Sequence, residues 1–282
     1  MGCQEPEVQI LSPRPFLKNP GSNFSLSSSS DEMKLKILVT NDDGVFSEGL
    51  RTLATTMQAL GEVYVVAPDR ERSAAAHSLT LHRPLRVEEI EPRVFAADGT
   101  PVDCVTLAVY GILKGHPDIV ISGINNGPNL GEDLVYSGTV SAAFEATFLR
   151  IPAFAISLAS RTDFKFQVAA NVALKVATHI MDVGLPTETF LNINVPNVEE
   201  DEIRSFKITR QGKRVFEDAV VEKVDPRGKK YYWLGGADQG FEEIEGTDFH
   251  AIANRQISIT PLCVDLTNHS TVKELEGWKL QI

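Results

Sequence analysis

Between Leu35 and Val195, short and almost wholly apolar runs alternate with longer stretches in which apolar residues recur every three or four positions. No other feature constrains the fold as strongly. Apolar runs of five or six residues suit strands buried on both faces, and the stretches between them suit helices packed over those strands. The runs are Leu35–Thr40 and residues 63–67, 118–122, 153–157 and 191–195. Ser47 precedes a helical face of Leu50, Leu53, Ala54, Met57 and Leu60, which Gly61 closes. Thr100-Pro101-Val102-Asp103 combines an N-cap, a proline at the first helical position and a capping-box acid. Val102, Val105, Val109 and Ile112 follow at helical spacing, and residues 140–149 and 168–183 predict two further helices. Such alternation predicts an α/β fold with a doubly wound, mostly parallel sheet.

After Pro196 the alternation stops. Residues 199–202 are four acids, and residues 206–233 mix β-type residues with Lys and Arg. Gly212, Gly228, Gly235, Gly236 and Gly240 supply turns, so this region predicts long hairpins protruding from the sheet. Residues 248–258 and 275–278 predict helix, with a strand at 257–261. Residues 1–33 carry four prolines and seven serines without apolar periodicity, which predicts a disordered tail outside the fold. The chain thus divides into a tail (1–33), a core (34–196) and a C-terminal extension (197–282).

A formal net charge of −11, from 27 basic and 38 acidic residues, opposes non-specific nucleic-acid binding. No apolar stretch approaches the roughly 20 residues of a membrane span. The N-terminus lacks the order of a signal peptide, and Pro6 breaks the myristoylation pattern that Met1-Gly2 begins. Cys3, Cys104 and Cys263 are too scattered for a disulfide framework or a zinc site, so the expectation is a reducing cytoplasm and no membrane partner.

Ligands in open α/β sheets bind beyond the carboxyl ends of the strands. The first strand ends Thr40-Asn41-Asp42-Asp43-Gly44. Two adjacent carboxylates there repel unless a positive charge neutralises them, and a hard divalent cation does so with oxygen ligands. A solvated Asn-Asp-Gly turn accounts for the same residues. The second strand ends Ala67-Pro68-Asp69-Arg70-Glu71-Arg72-Ser73, where Ser73 supplies either a ligand oxygen or a turn. Arg70 and Arg72 face either phosphate or the neighbouring acids Glu71 and Asp69. His77, in a small-residue stretch, reads as a packing or loop histidine rather than a general base.

The run 118–122 passes into Gly123-Ile124-Asn125-Asn126-Gly127-Pro128-Asn129-Leu130-Gly131. Asn125 offers an amide oxygen to a metal. The glycine spacing excludes GxGxxG, and no GxxxxGK[ST] occurs, so nicotinamide-cofactor and P-loop readings drop out. Tyr136-Ser137-Gly138-Thr139 then opens a helix, whose N-terminus suits a phosphate, although Ser137 or Thr139 equally suits an ordinary N-cap.

Taken together, these segments resemble the SurE (survival protein E) family of acid-phosphatase-like nucleotidases. The stretches that carry the resemblance begin with residues 37–44 (Ile-Leu-Val-Thr-Asn-Asp-Asp-Gly) and 67–73. Residues 122–125, 129–131 and 136–140 complete them, in the family's order and spacing. The resemblance implies a Rossmann-like three-layer sandwich with a C-terminal β-hairpin extension. It implies hydrolysis of nucleoside 5′- and 3′-monophosphates, with short-chain polyphosphate a further substrate. One divalent cation per subunit, Mg²⁺ or Mn²⁺, falls on Asp42, Asp43, Ser73 and Asn125. Asp42 and Asp43 are expected to carry catalysis, and Asn129, Ser137, Gly138 and Thr139 are expected to bind the substrate phosphate. Subunits of the family pair through the C-terminal segment and hairpins, which implies a homodimer or homotetramer. The chain departs from the family at Ala74-Ala75-Ala76-His77, where relatives often carry glycine, and at Glu145-Ala146 in place of Glu-Gly. Two rival readings are a phosphatase with a covalent aspartyl intermediate on Asp42 and a nucleotide-binding regulator without turnover.

Overall fold

The structure, a computed structural model, describes residues 34–113, 115–215, 220–234 and 240–279. The expected tail, 1–33, and the turn glycines Gly235 and Gly236 lie outside the described residues.

The first half alternates as the apolar pattern predicts. Strand β1 (Leu35–Thr40) leads to helix α1 (Glu48–Met57) and strand β2 (Gly61–Pro68). An edge hairpin, β3 (Val87–Glu91) and β4 (Val94–Ala97), follows. Helix α2 (Pro101–Leu107) runs on through a π turn to Ile112 and precedes β5 (Ile119–Asn126). Helix α3 (Gly138–Phe148), β6 (Ala153–Ala159), α4 (Phe166–Val183) and β7 (Thr189–Pro196) complete the alternation. The rest of the chain adds β8 (Phe206–Ile208), a separate hairpin β9 (Val220–Val224) with β10 (Lys230–Leu234), α5 (Asp248–Ala253), β11 (Ile257–Cys263) and α6 (His269–Leu275).

Among the described residues, nine strands form one sheet in the order β3-β4-β2-β1-β5-β6-β7-β11-β8. Strands β4, β2, β1, β5, β6 and β7 are mutually parallel, while β3 runs antiparallel to β4 and β11 antiparallel to β7. Successive side chains of a strand point to opposite faces. Accordingly Ile37 and Val39 pack under α1 and α4, with Leu50, Leu53, Met57 and Ile180. Leu38 packs on the other face with Val105 of α2 and Ala142, Ala143 and Ala146 of α3. Burying a side chain the size of Leu38 stabilises the fold by roughly 1.5–3 kcal/mol. The alanine stripe of α3 lets that helix lie close over the sheet. These are the three layers of a Rossmann-like sandwich.

Several boundaries differ from expectation. Strand β5 continues four residues past Ser122, because Asn125 and Asn126 pair with Ser157 and Leu158 of β6. The β3–β4 hairpin was not expected, since Val87-Glu88-Glu89-Ile90-Glu91 reads as a solvated acidic stretch. Pairing across the hairpin, not propensity, makes it a strand, and its charges suit a sheet edge. Of the region expected as protruding hairpins, residues 206–208 instead close the main sheet beside β11. The β9–β10 pair is the hairpin extension. Helix α5 stops at Ala253, ahead of residue 258, because Ile257 enters β11. The last helix is His269–Leu275, ending where residues 275–278 were expected to begin one. Among the described residues, no helix is long and apolar enough to cross a membrane.

Candidate active site

From β1 the chain moves outward to β2 and β4, then crosses back to β5 on the far side of β1. The direction of winding therefore reverses between β1 and β5, and a crevice opens beyond their carboxyl ends. Asp42 and Asp43 follow β1, and Asn125 lies in the last turn of β5's pairing, so the topology brings these three together.

Asn41 sets the turn that carries both acids. Its amide oxygen accepts from the Gly44 N–H at 3.2 Å, and its NH₂ donates to the Gly44 carbonyl at 3.2 Å and to the Ser47 hydroxyl at 2.7 Å. Ser47 occupies the N-cap position of α1 without a side-chain capping bond. Asn41 is thus the residue that binds the acid turn to the first helix.

Asp42 is buried. Its carboxylate accepts from the Thr139 hydroxyl, and its carbonyl accepts from the Arg72 N–H at 2.7 Å. Burial raises its pKa, and the hydrogen bonds from Thr139 and the amides at the start of α3 only partly offset that. Asp43 accepts from the Asn126 N–H at 3.0 Å. Burial first, and the neighbouring Asp42 charge second, push its pKa up to about 6. Asn125 donates its NH₂ to the Gly127 carbonyl at 2.9 Å, and its amide oxygen stands 3.3 Å from the Thr139 hydroxyl that holds Asp42. Thr139 therefore bridges the ends of β1 and β5.

A bulge aims Asn125. The register between β5 and β6 shifts between Ser122 and Asn125. Gly123 has φ +141°, and a Cβ there would stand 2.2 Å from the Ile156 carbonyl oxygen. Only glycine permits that approach, and the bulge turns the following residues toward the crevice.

The crevice holds a cavity of about 340 Å³. Four acids line it, Asp42, Asp43, Glu71 and Asp133, and among the described lining residues none is Lys, Arg or His. Ser73, Asn125, Asn129, Tyr136 and Ser137 line it too. A larger groove, about 660 Å³, lies beside α1 and β2. There Arg51 stands 3.6 Å from Glu91 and Arg93 2.6 Å from Glu62, so basic and acidic groups share its lining, whereas the charged groups in the described lining of the smaller cavity are acids alone.

The expected phosphate-binding residues have distinct places. Ser137 is the N-cap of α3, accepting from the Val140 N–H at 3.1 Å, which leaves its own proton to donate into the cavity. The Thr139 proton goes to Asp42. Asn129 donates to the Ser157 hydroxyl at 2.8 Å, and its backbone is held by Asn192 and Asn194 of β7 at 2.9 Å. At Gly138 the space a side chain would fill belongs to Asp42, whose Oδ2 lies 2.9 Å from an ideal Cβ. His77 packs as a loop histidine. Its ring lies against Phe144 and Phe148, and its Nε2 is 2.9 Å from Glu145.

Sequence reasoning missed Asp248, a fully buried carboxylate at the start of α5. It accepts from the Gly131, Gly212 and Phe249 amides, each at 2.8 Å. Gly131 opens the turn that carries Asp133 and Tyr136 to the cavity, so Asp248 braces that wall. Asp248→Asn sets an NH₂ against one of these N–H donors and removes the charge. We expect a loss of about 1.5–3 kcal/mol in denaturant unfolding. A change under about 0.5 kcal/mol, typical of a surface site, would contradict the brace.

The fold and this acid-lined crevice define an α/β protein with its polar site at the switch point of a parallel sheet. The family model for survival protein SurE matches residues 37–218, and the chain belongs to that family. It is 54% identical over 247 residues to the 5′-nucleotidase SurE of Geotalea uraniireducens, covering 87% of this chain and all of that protein. The 5′-nucleotidase SurE of Geobacter sulfurreducens is 53% identical, covering 87% and 94%. The solved SurE protein of Aquifex aeolicus superposes with a TM-score of 0.79 at 44% identity, covering 86% of this chain and 98% of that one.

Proposed function

We propose that this chain is a divalent-metal-dependent phosphomonoesterase that hydrolyses nucleoside 5′-monophosphates to nucleoside and phosphate. Nucleoside 3′-monophosphates and short-chain polyphosphate are its further substrates. It works in the cytoplasm as a homodimer or homotetramer. The relatives named 5′-nucleotidase SurE, similar over most of their length, support the nucleotidase reading. One observation carries the metal requirement: the cavity presents acids and no basic residue among its described lining. A phosphate dianion entering it meets repulsion unless a cation is bound first.

The donors suit such a cation. Asp42 and Asp43 supply carboxylates, Asn125 an amide oxygen and Ser73 a hydroxyl, an all-oxygen set of the kind Mg²⁺ or Mn²⁺ takes. When bound, the cation supplies charge neutralisation and Lewis-acid polarisation of a phosphate oxygen. The protein does the rest. Thr139 and the first amides of α3 hold Asp42 in place. The Ser137 hydroxyl donates to the phosphoryl oxygens, where charge builds in the transition state. Asp43, fixed through one oxygen by Asn126, orients the attacking water and takes its proton. Asn129, held by Ser157, Asn192 and Asn194, presents its loop to the cavity that receives the phosphate.

Phosphate release from a panel of 5′- and 3′-nucleotides and polyphosphate tests this, with chelator and with Mg²⁺ or Mn²⁺ restored. The expected result is turnover that disappears with chelator and returns with metal. Nucleotide binding without phosphate release would support a regulator instead. Full turnover in excess chelator would remove the metal from the account.

A further inference from the structure

Ser73 stands on the loop after β2, which is fixed on both sides. The Arg72 N–H donates to the Asp42 carbonyl at 2.7 Å, and the Ala76 N–H to the Tyr136 carbonyl at 3.2 Å. His77, bonded to Glu145 and packed on Phe144 and Phe148, pins the loop to α3. With the backbone held, the remaining freedom of Ser73 lies in its side chain and hydroxyl proton. That proton is taken: the hydroxyl donates to the Glu71 carboxylate at 2.6 Å. Glu71 lines the same cavity as Asp42, Asp43 and Asn125.

A hydroxyl has one proton and two lone pairs. It serves a cation only when a lone pair, not the proton, faces it. An acceptor that takes the proton leaves the lone pairs to the cation and makes the oxygen a stronger donor of electron density. Groups that do so for metal ligands change metal affinity by about 10–100-fold. Glu71 is not itself one of a compact acid triad: among the described residues, no three His, Cys, Asp or Glu side chains gather closely enough to hold an ion. We propose that Glu71 is a positioning residue for the cation, acting through Ser73 by accepting its hydroxyl proton and so leaving its lone pairs to the cation. This rests on the metal site proposed above, and the experiment separates the two.

Mn²⁺ binding to the full chain without substrate, followed by electron paramagnetic resonance, reads the effect directly. The variants are Glu71→Ala, Glu71→Gln, Ser73→Ala, the Glu71→Ala/Ser73→Ala pair, and Asp43→Asn. Glu71 is exposed, so its variants should melt with the wild type. Glu71→Ala is expected to weaken Mn²⁺ binding about 10-fold. Glu71→Gln keeps a neutral acceptor and falls between Glu71→Ala and wild type. The pair binds no more weakly than Ser73→Ala alone. Wild-type affinity in Glu71→Ala would overturn the proposal. So would equal losses in Gln and Ala, which would mark a simple effect of charge. Additive losses in the pair would overturn it too, since Glu71 would then act independently of Ser73. Wild-type affinity in Asp43→Asn would instead overturn the metal site itself.

Discussion

Asp43→Asn lowers phosphate release from a nucleoside 5′-monophosphate by about 10²-fold or more, and Asp42→Asn does the same, because electrostatic stabilisation of developing charge is usually the largest catalytic term. Each substitution keeps the side chain's shape and removes a charge from the proposed cation site. The metal-free fold should respond in the opposite direction. Asp43 has its pKa raised from 3.8 to about 6 by burial and by Asp42, so folding favours its protonated form. In chelator, the stability it contributes is fully present below about 3.8 and is lost as pH rises through about 6. At neutral pH, Asp43→Asn relieves that cost. The metal-free variant should be more stable than metal-free wild type by on the order of 1–2 kcal/mol, after allowing for solvent screening. Thermal melts in chelator across the acid range check the sign. A metal-free wild type that gained stability as pH rose through 6 would contradict it. Near-normal turnover of either variant at saturating metal would remove that residue from the site.

Gly138→Val abolishes most of the activity by displacing Asp42. The ideal Cβ at this position lies 2.8 Å from the Asp42 Cβ and 2.9 Å from its Oδ2. Real Cβ atoms do not tolerate such distances, and Asp42 cannot yield freely while Thr139 and Arg72 hold it. The expected loss is about 10²-fold or more, comparable to removing the acid. Gly138 was expected from the sequence to bind the substrate phosphate, and in that reading a side chain there acts differently, by blocking phosphate from the backbone. The two accounts separate in the absence of substrate. Displacement of Asp42 weakens Mn²⁺ binding to free Gly138→Val, whereas a blocked phosphate site leaves Mn²⁺ binding intact. Unchanged Mn²⁺ affinity with lost turnover would contradict the structural account.

Much of this was legible in the sequence because strand ends are. Leu35–Thr40 is apolar and β-rich, so the polar residues after it, Asp42 and Asp43, had to emerge at a carboxyl edge. The same logic placed Asn125. The brackets around those residues were not legible, since they depend on contacts between distant segments. Thr139 looks like any residue at a helix start until α3 is set against β1. Asp248 reaches Gly131 across 117 positions. Its one sequence signal, an acid in the first turn of a short helix, fits ordinary capping. Asn192 and Asn194 did leave a trace: two asparagines at period two within the apolar strand β7 mark a polar line on one face. Edge elements were the least legible. Val87-Glu88-Glu89-Ile90-Glu91 becomes a strand only because β4 pairs with it, and residues 206–208 join the main sheet only because β11 offers an edge.

In the proposed site Asp42, Asp43, Asn125 and Ser73 together hold one divalent cation. Anomalous scattering from crystals of the full chain grown with Mn²⁺ tests it most directly. The account predicts a single strong manganese peak in the cavity beyond β1 and β5, within coordination distance of oxygens from Asp42, Asp43, Asn125 and Ser73. A peak elsewhere on the chain, or an empty cavity in crystals that hydrolyse a nucleoside monophosphate, would contradict it.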